Sequence, residues 1–257
     1  MWQLWLCLLL ILCCSRSLQI AASRRQVRIM SEWEVVASRG SAQRAGEMRA
    51  MRQAPESSKL LENELCVNKL TEINMGTQIV VVLVGLPGCG KSTFARQVVS
   101  TAPHGVWCIA CQDVEGDRKK VERLVKDALE GKADGTIGGR VIVDRCNFNL
   151  AQRKHWVDIA RQHRLQLDVA SGQELLLLCV VLPNASDVEF CSSRATVRGN
   201  DGVHPDDQDW AFIGRSMASQ WSEPSAAEGF DAMFWCSSQD DLDLVGMLLG
   251  SAPSLLS

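Results

Sequence analysis

The sequence has no long basic segment. Its 257 residues include 27 lysines and arginines against 30 aspartates and glutamates, for a formal net charge of −3. Residues 201–257 hold one basic and 10 acidic side chains. No basic tail therefore points to nucleic acid, and a partner of that kind would have to be held in a local groove.

Cysteine spacings typical of disulfide frameworks or zinc sites are also missing. The chain has 11 cysteines, but most of them lie within apolar runs. Outside the N-terminal leader, Cys108 and Cys111 form the only close pair, and a zinc site of this type needs a second pair. We therefore predict reduced thiols that pack as small hydrophobic residues in a reducing compartment.

The N-terminal apolar run is too short for an ordinary membrane span. Residues 2–14 suit a signal-peptide core or a membrane anchor, but no basic residue precedes them. The next segment is rich in arginine and has no acidic residue before Glu32, as in organellar transit peptides. The alternative is an over-extended start, because further methionines follow at Met30, Met48, Met51 and Met75. Two localisations are therefore open. The protein is nuclear or cytoplasmic if translation starts at a later methionine, and organellar or membrane-directed if the leader is translated.

One stretch combines a buried strand with a glycine-rich loop. The run from Gln78 to Val84 is almost wholly β-branched or aliphatic, as in strands buried on both faces. It leads into Gly-x-x-x-x-Gly-Lys-Ser, and Phe94, Ala95 and Val98 follow at helical spacing. Strand, glycine loop and helix are the context that a Walker A motif requires. The alternative is a glycine-rich turn that matches the motif by chance.

The chemistry of this loop predicts a bound nucleoside triphosphate. Glycines let backbone N–H groups curl around phosphate oxygens, and the helix N-terminus adds a partial positive charge. Lys91 can reach the β- and γ-phosphates, and the Ser92 hydroxyl can ligate Mg²⁺. The predicted cofactors are ATP and Mg²⁺. The predicted nucleotide-binding residues are Gly85, Leu86, Pro87, Gly88, Cys89, Gly90, Lys91, Ser92 and Thr93.

The rest of the chain alternates strands with helices. We divide the chain into a hydrophobic leader (1–30), a poorly ordered to helical extension (31–76), a P-loop domain (77–250) and a tail (251–257). Further strands are predicted over 105–110, 140–144, 174–182 and 233–236, and further helices over 117–130, 149–164, 206–222 and 240–249. This order predicts an α/β fold, a mainly parallel sheet with helices on both faces. We expect a monomer.

Two aspartates are predicted to lie beside the P-loop, because the carboxyl ends of parallel strands meet at one edge of a sheet. Asp113 follows the second strand, where a carboxylate facing the γ-phosphate can accept the proton of an attacking hydroxyl. The alternative role of Asp113 is a helix N-cap or a turn. Asp144 ends the third strand and fits a Walker B-type acid near Mg²⁺, the alternative being a strand-end turn.

Basic and aromatic side chains complete the predicted site. Arg194 and Arg198 are four residues apart on a predicted helix, so both can close over phosphates and neutralise charge in the transition state. The alternative is a solvated charged face. Phe148 and Trp156 offer surfaces on which a base can stack, although aromatic residues of α/β domains more often lie in the core.

These motifs together resemble polynucleotide 5′-hydroxyl kinases. The resemblance rests on Gly85–Thr93, Cys111–Asp113, Val141–Asn147 and Cys191–Arg198, within residues 78–250. It is strongest to the kinase-like P-loop domains found beside aprataxin-type histidine-triad modules, and more distant to zeta-toxin and AAA-like P-loop kinases. It implies an adenylate-kinase-like P-loop NTPase core with a helical lid that carries arginines.

The resemblance also implies a role for each site residue. The catalytic residues would be Lys91, Asp113, Arg194 and Arg198. Asp113 would be the base that activates a nucleic-acid 5′-hydroxyl, and the two arginines would belong to the lid. The acceptor site would be formed by Asp113, Asp144, Arg145 and Asn147, and the metal site by Ser92 and Asp144.

Motifs of the companion enzymes are missing from the sequence. Two-domain polynucleotide kinases carry a phosphatase with Asp-x-Asp-Gly-Thr, whereas here Lys132 stands where the nucleophilic aspartate should be. The sequence has no His-x-His-x-His motif and no zinc-finger pattern. A phosphatase or histidine-triad activity would have to come from a separate partner chain.

Three functions remain open from the sequence. The first is Mg²⁺-ATP-dependent phosphorylation of a 5′-hydroxyl of DNA or RNA, in nucleic-acid repair or processing. The second is a small-molecule kinase for a nucleoside, sugar or nucleotide-sugar, which the acidic C-terminal segment favours. The third is an interaction module that binds ATP and transfers nothing. A channel lined by Arg118, Arg145 and Arg153 would favour nucleic acid, and a closed pocket would favour a metabolite.

Overall fold

The computed structural model describes Leu70 and residues 77–103, 106–133, 139–167, 173–198 and 208–250. These residues belong to one compact unit, Ser58–Ser257. The predicted leader, the predicted tail and all of the predicted extension except Leu70 lie outside the described residues.

Five parallel strands form one sheet in the described part of the chain. Strand β1 (Thr77–Val84) is central, between β3 (Arg140–Asp144) and β4 (Glu174–Val181). Strands β2 (Trp107–Cys111) and β5 (Ala232–Trp235) lie at the edges, giving the order β2-β3-β1-β4-β5. The predicted α/β class, with a mainly parallel sheet of the P-loop NTPase type, is confirmed.

Strand β1 is buried on both faces because its side chains supply two hydrophobic clusters. Alternate side chains of a strand point to opposite sides. Ile79, Val81 and Leu83 join one cluster, and the even-numbered positions 80, 82 and 84 join the other. Each of the six is at most 1% exposed. This two-sided burial explains why the run is continuously apolar rather than alternating.

Helices cover both faces of the sheet. Their bounds are α1 Lys91–Thr101, α2 Gln112–Glu115, α3 Arg118–Leu129, α4 Leu150–Arg164, α5 Val188–Val197, α6 Trp210–Ala218 and α7 Gln239–Gly250, with a 3₁₀ turn at Ala226–Glu228. Helices α1 and α7 contribute to the cluster that contains Ile79, and α3 and α4 to the cluster that contains Val80. Within the described ranges, no helix has the length and apolar character needed to cross a membrane.

Local contacts explain where the elements differ from the sequence prediction. The helix predicted over 206–222 begins at Trp210, because the Asp209 carboxylate caps its first turn by accepting from the Phe212 N–H (2.8 Å). It ends at Ala218. Helix α2 and the 3₁₀ turn, of four and three residues, are too short to produce a helical period in the sequence.

Candidate functional site

The loop between β1 and α1 depends on two glycines with left-handed backbone angles. Gly88 has a φ of 92° and Gly90 a φ of 109°. A Cβ on Gly88 would lie 2.0 Å from the backbone oxygen of Cys191, so the loop packs directly against α5. Gly90 is the N-cap of α1, and no side chain makes a cap hydrogen bond there. The first-turn N–H groups of α1 are therefore suited to an anion.

The side chain of Lys91 folds back over this loop. It is 7% exposed, and its Nζ donates to the carbonyl oxygens of Gly85 (2.9 Å) and Leu86 (2.8 Å). Burial by itself lowers the pKa of Lys91, but two neighbouring cysteines and Asp144 outweigh that effect, so the pKa is raised above its ordinary value. The lysine is therefore cationic at neutral pH.

The carboxyl ends of β1, β3 and β2 open into one cavity of about 610 Å³. Cys111, the last residue of β2, pairs with Asp144, the last residue of β3, so Asp113 follows close by in α2. The volume falls within the roughly 300–1,000 Å³ of small-molecule sites. Of the predicted site residues, the cavity is lined by Pro87, Gly88, Gly90, Lys91, Ser92, Thr93, Asp113, Asp144, Arg145, Arg194 and Arg198.

Three predicted P-loop residues, Gly85, Leu86 and Cys89, are buried and do not belong to the lining of this cavity. Cys89 is nevertheless chemically unusual. A hydrogen bond from the Cys191 thiol, together with Lys91, lowers the pKa of Cys89 to about 6, although burial acts in the opposite direction. Lys91 Nζ lies 3.6 Å from Cys89 Sγ behind the loop.

The two aspartates lie in different surroundings. Asp113 is exposed and sits in the first turn of α2, whose N-cap is Cys111. Its predicted alternative role as an N-cap is therefore wrong. Asp144 is 5% exposed and lines the cavity together with Ser92. Mg²⁺ takes one or two protein oxygens and fills its other positions with phosphate oxygens and water. A hydroxyl and a carboxylate on one cavity fit an ion of that kind.

Two arginines lie at the mouth of the cavity on α5. Arg194 is in the last turn of the helix and Arg198 is its C-cap, and both are exposed. The guanidinium of Arg194 lies 5.2 Å from the centre of the Phe190 ring, a cation–π contact. The start of α5 is fixed by Asp187, whose carboxylate accepts from the Phe190 N–H (2.9 Å). The helix thus projects its basic end towards the P-loop.

Comparison with known proteins identifies the family. A family model described as AAA domain matches residues 80–218, which is more than half of the chain. The chain belongs to this AAA-domain family. Within it, the described region is a P-loop domain of the kinase type.

Two curated proteins are similar to this AAA domain. The chain is 30% identical over 179 residues to transcription factor bHLH140 of Arabidopsis thaliana, covering 67% of the chain and 17% of that protein. It is 31% identical over 102 residues to the bifunctional polynucleotide phosphatase/kinase of Schizosaccharomyces pombe, covering 38% of the chain and 22% of that protein. The chain therefore spans about a fifth of the length of either relative. The resemblance to polynucleotide kinases is confirmed as a sequence similarity.

Two solved structures are also similar to the AAA domain. A fungal RNA kinase gives a TM-score of 0.47 at 14% identity, over 67% of this chain and 85% of that chain. Kti12 of Chaetomium thermophilum, solved in complex with ADP-AlF3, gives a TM-score of 0.43 at 13% identity, over 67% of this chain and 98% of that chain.

Asn147 of the AAA domain does not face the cavity, contrary to the expectation that it belongs to the acceptor site. It is 0% exposed, with a positive φ of 46° that asparagine tolerates. Its Nδ2 donates to the Leu83 oxygen (2.8 Å) and the Arg145 oxygen (3.2 Å), and its Oδ1 accepts from Trp156 Nε1 (2.8 Å). The side chain holds the end of β1 against the segment after β3, so we assign it a positioning role.

The three arginines whose meeting in one channel would have favoured nucleic acid do not come together in the described structure. Arg153 is 0% exposed and forms two hydrogen bonds of 2.8 Å to the Glu228 carboxylate. The Arg118 side chain is 59% exposed and pairs with Glu122 (3.0 Å). Only Arg145 of the three lines the cavity. Arg153 therefore has a structural role, and the basic surface beside Asp113 is smaller than expected for a nucleic-acid channel.

The aromatic candidates separate into one cavity residue and one core residue. Phe148 lines the cavity, whereas Trp156 is 1% exposed in the hydrophobic core. Sequence reasoning missed three apolar residues of α6 that line the cavity: Trp210, Ile213 and Met217. Their spacing of three and four residues could have placed them on one side of a helix. It also missed three glutamines: Gln112, Gln152 and Gln208.

Proposed function

We propose that this AAA domain is an Mg²⁺-ATP-dependent phosphotransferase that phosphorylates a 5′-hydroxyl of DNA or RNA. The observation that carries the proposal is the single cavity shared by the P-loop, Asp113, Asp144 and the basic end of α5. Sequence similarity to a polynucleotide phosphatase/kinase supports the choice of acceptor. The missing phosphatase motif leaves any 3′-end processing, or a histidine-triad activity, to a separate partner.

In this proposal the P-loop binds the triphosphate. Backbone N–H groups around Gly88 and Gly90 and the N-terminus of α1 donate to its phosphate oxygens. Lys91 exchanges its two carbonyl acceptors for the β- and γ-phosphates. Ser92 and Asp144 would hold Mg²⁺, which offsets the charge of the phosphates.

Proton transfer is assigned to Asp113. Its carboxylate accepts the proton of the acceptor hydroxyl as the new P–O bond forms and the bond to the leaving diphosphate breaks. Arg194 and Arg198 stabilise the negative charge on the transferring group, because both guanidinium groups lie at the mouth of the same cavity. Arg145, which follows β3 and also lines the cavity, would contact a phosphate of the acceptor strand.

A transfer assay with labelled ATP and a 5′-hydroxyl oligonucleotide tests the proposal. We expect Asp113→Ala to lose transfer by at least about a hundredfold, the usual contribution of a general base. We expect a similar loss for Lys91→Ala, because the charge on the transferring phosphate loses its cation. Glu115→Ala is the matched control, because this carboxylate lies two residues from Asp113 in the same short helix and outside the lining of the cavity. Full activity of Asp113→Ala would remove it as the base.

A small-molecule kinase is the second candidate function. One specific observation favours it: of the three arginines expected in a nucleic-acid channel, only Arg145 reaches the cavity. A screen that offers oligonucleotides, nucleosides, sugars and nucleotide-sugars in parallel distinguishes the candidates. A labelled metabolite with no labelled oligonucleotide would replace the first proposal. Slow ATP hydrolysis without any labelled acceptor would indicate a non-catalytic ATP-binding module.

A further inference from the structure

One wall of the cavity is apolar, although charged side chains line other parts of it. Helix α6 contributes Trp210, Ile213 and Met217 to it, and Phe148 lies on the segment after β3. Residues three and four apart share one side of a helix, so the three α6 side chains form a continuous strip. They are half-buried rather than packed in the core. The strip therefore gives this part of the cavity an apolar lining.

One end of this wall is connected to the side of the cavity that carries Asp113. The chain after α6 is tied to the segment between β3 and α4, because Ser222 N donates to the Phe148 oxygen (3.0 Å) and Leu150 N donates to Ser222 Oγ (2.7 Å). Strand β3 pairs with β2, whose end leads to Asp113. Within the described residues, the lining includes none from the carboxyl ends of β4 or β5. The Phe148 end of the wall thus lies on the β2–β3 side of the P-loop, while α6 also packs against α5, where a Cβ on Gly214 would lie 3.3 Å from Val188 Cγ1.

We infer that this apolar wall binds the 5′-terminal nucleobase of the acceptor strand, with Trp210 as its main stacking surface. The inference rests on the proposed function and makes it more specific. Bases stack on aromatic side chains with little dependence on sequence. Gln152 and Gln208 also line the cavity, and their amides can hydrogen-bond to base edges. The base places the 5′-hydroxyl near Asp113, so binding does not depend on a long basic channel.

Two oligonucleotides that differ only in their 5′-terminal residue test this inference. One ends in an ordinary nucleotide and the other in an abasic residue, both with a free 5′-hydroxyl. For the unmodified protein we expect KM for the abasic strand to be roughly tenfold higher, because one stacked base is lost. Trp210→Ala should raise KM for the ordinary strand to the abasic level and leave KM for ATP unchanged. Trp210→Phe should restore most of the difference.

Phe212→Ala is the matched control for Trp210→Ala. Phe212 is an aromatic residue of the same helix, is 63% exposed and does not line the cavity. It should leave both KM values unchanged. Met217→Ala is the second variant if Trp210→Ala fails to fold. It should raise KM for the ordinary strand and leave KM for the abasic strand unchanged.

The outcomes separate this inference from the proposed function. Transfer to neither strand by the unmodified protein would overturn the proposed function. Equal KM values for the two strands would overturn the base-binding wall while leaving the kinase activity intact. A rise in KM for ATP in Trp210→Ala would show that the wall holds adenine instead, and would also overturn the inference.

Discussion

Gly88 shows how a single residue sets the geometry of the P-loop. Its φ of 92° disfavours any side chain, and the backbone oxygen of Cys191 occupies the place that a Cβ would take. The contact joins the phosphate-binding loop to the helix that carries Arg194 and Arg198. Nothing larger than glycine fits without moving one of the two backbones.

Gly88→Ala should destabilise the protein by at least about 2 kcal/mol and weaken nucleotide binding, because left-handed strain and a backbone clash add together. Gly131→Ala is the control: its φ of 67° is also left-handed, but nothing lies within 4 Å of the added Cβ. We expect a loss of only about 1 kcal/mol there. Urea unfolding measures both, and similar losses for the two variants would argue against the clash.

Asn147→Ala should lower the free energy of unfolding by about 2–4 kcal/mol, because three hydrogen bonds of a fully buried side chain are lost. Asn149→Ala, which removes one helix-cap hydrogen bond, should cost about 1 kcal/mol. Chemical denaturation provides the comparison. If Asn147→Ala raised KM for the acceptor at unchanged stability, Asn147 would have a binding role instead.

Cys89 should make stability depend on pH. Its folded-state pKa of about 6 is below the ordinary thiol value, so between that pH and about 8.5 the unfolded chain binds the extra proton. The free energy of unfolding should therefore increase as the pH rises from about 6 to about 8.5. The same stabilisation is lost when the pH is lowered to about 6. Cys89→Ser should flatten the rise in urea titrations at several pH values. An unchanged slope would mean that the folded protein does not stabilise the thiolate.

At the scale of elements, the 3₁₀ turn and α4 are held together by a buried ion pair. The side chains of Arg153 and Glu228 are 0% and 5% exposed. Arg153 also donates to the Ser222 oxygen (2.9 Å), so one guanidinium connects α4, the turn and the chain after α6. The apolar wall of the cavity depends on this connection for its position.

Arg153→Ala should destabilise the protein by about 3–5 kcal/mol, because it leaves the Glu228 carboxylate buried without its partner. Lys154→Ala is the adjacent control. Lys154 pairs with Asp158 on the surface, where the two side chains are 63% and 41% exposed, and its removal should cost less than about 1 kcal/mol. Thermal and urea unfolding of both variants distinguish a buried pair from an exposed one.

Sequence analysis predicted the elements that a short stretch of neighbouring residues is enough to identify. The apolar runs of β1 and β4, and the position of Asp144 directly after an apolar strand, identify the sheet and one edge of it. Asn147 and Arg153 could not be assigned in this way. Their partners Leu83 and Glu228 lie 64 and 75 residues away along the chain. An arginine that is buried and one that lines a channel look the same until the partner's position is known.

At the scale of the whole molecule, ligand binding should stabilise the domain. A non-hydrolysable ATP analogue with Mg²⁺, at about 100 times its Kd, should add about 2.7 kcal/mol to the free energy of unfolding. Lys91→Ala should lose most of this gain. Arg96→Ala, an exposed basic residue of the same helix, should retain it. Differential scanning fluorimetry with and without the analogue gives the comparison, and an equal gain in all three proteins would exclude the P-loop as the site.

The carbonyl oxygens of the P-loop compete with an incoming phosphate for the hydrogen bonds of Lys91. The ammonium already donates to the carbonyl oxygens of Gly85 (2.9 Å) and Leu86 (2.8 Å), so an anion that binds Lys91 must replace both acceptors. For inorganic phosphate this exchange of acceptors should contribute little binding free energy. A chain of phosphates can accept from Lys91 and from the N–H groups at the start of α1 at the same time. We therefore expect this loop to bind a chain of phosphates more tightly than inorganic phosphate, which should inhibit the site only weakly.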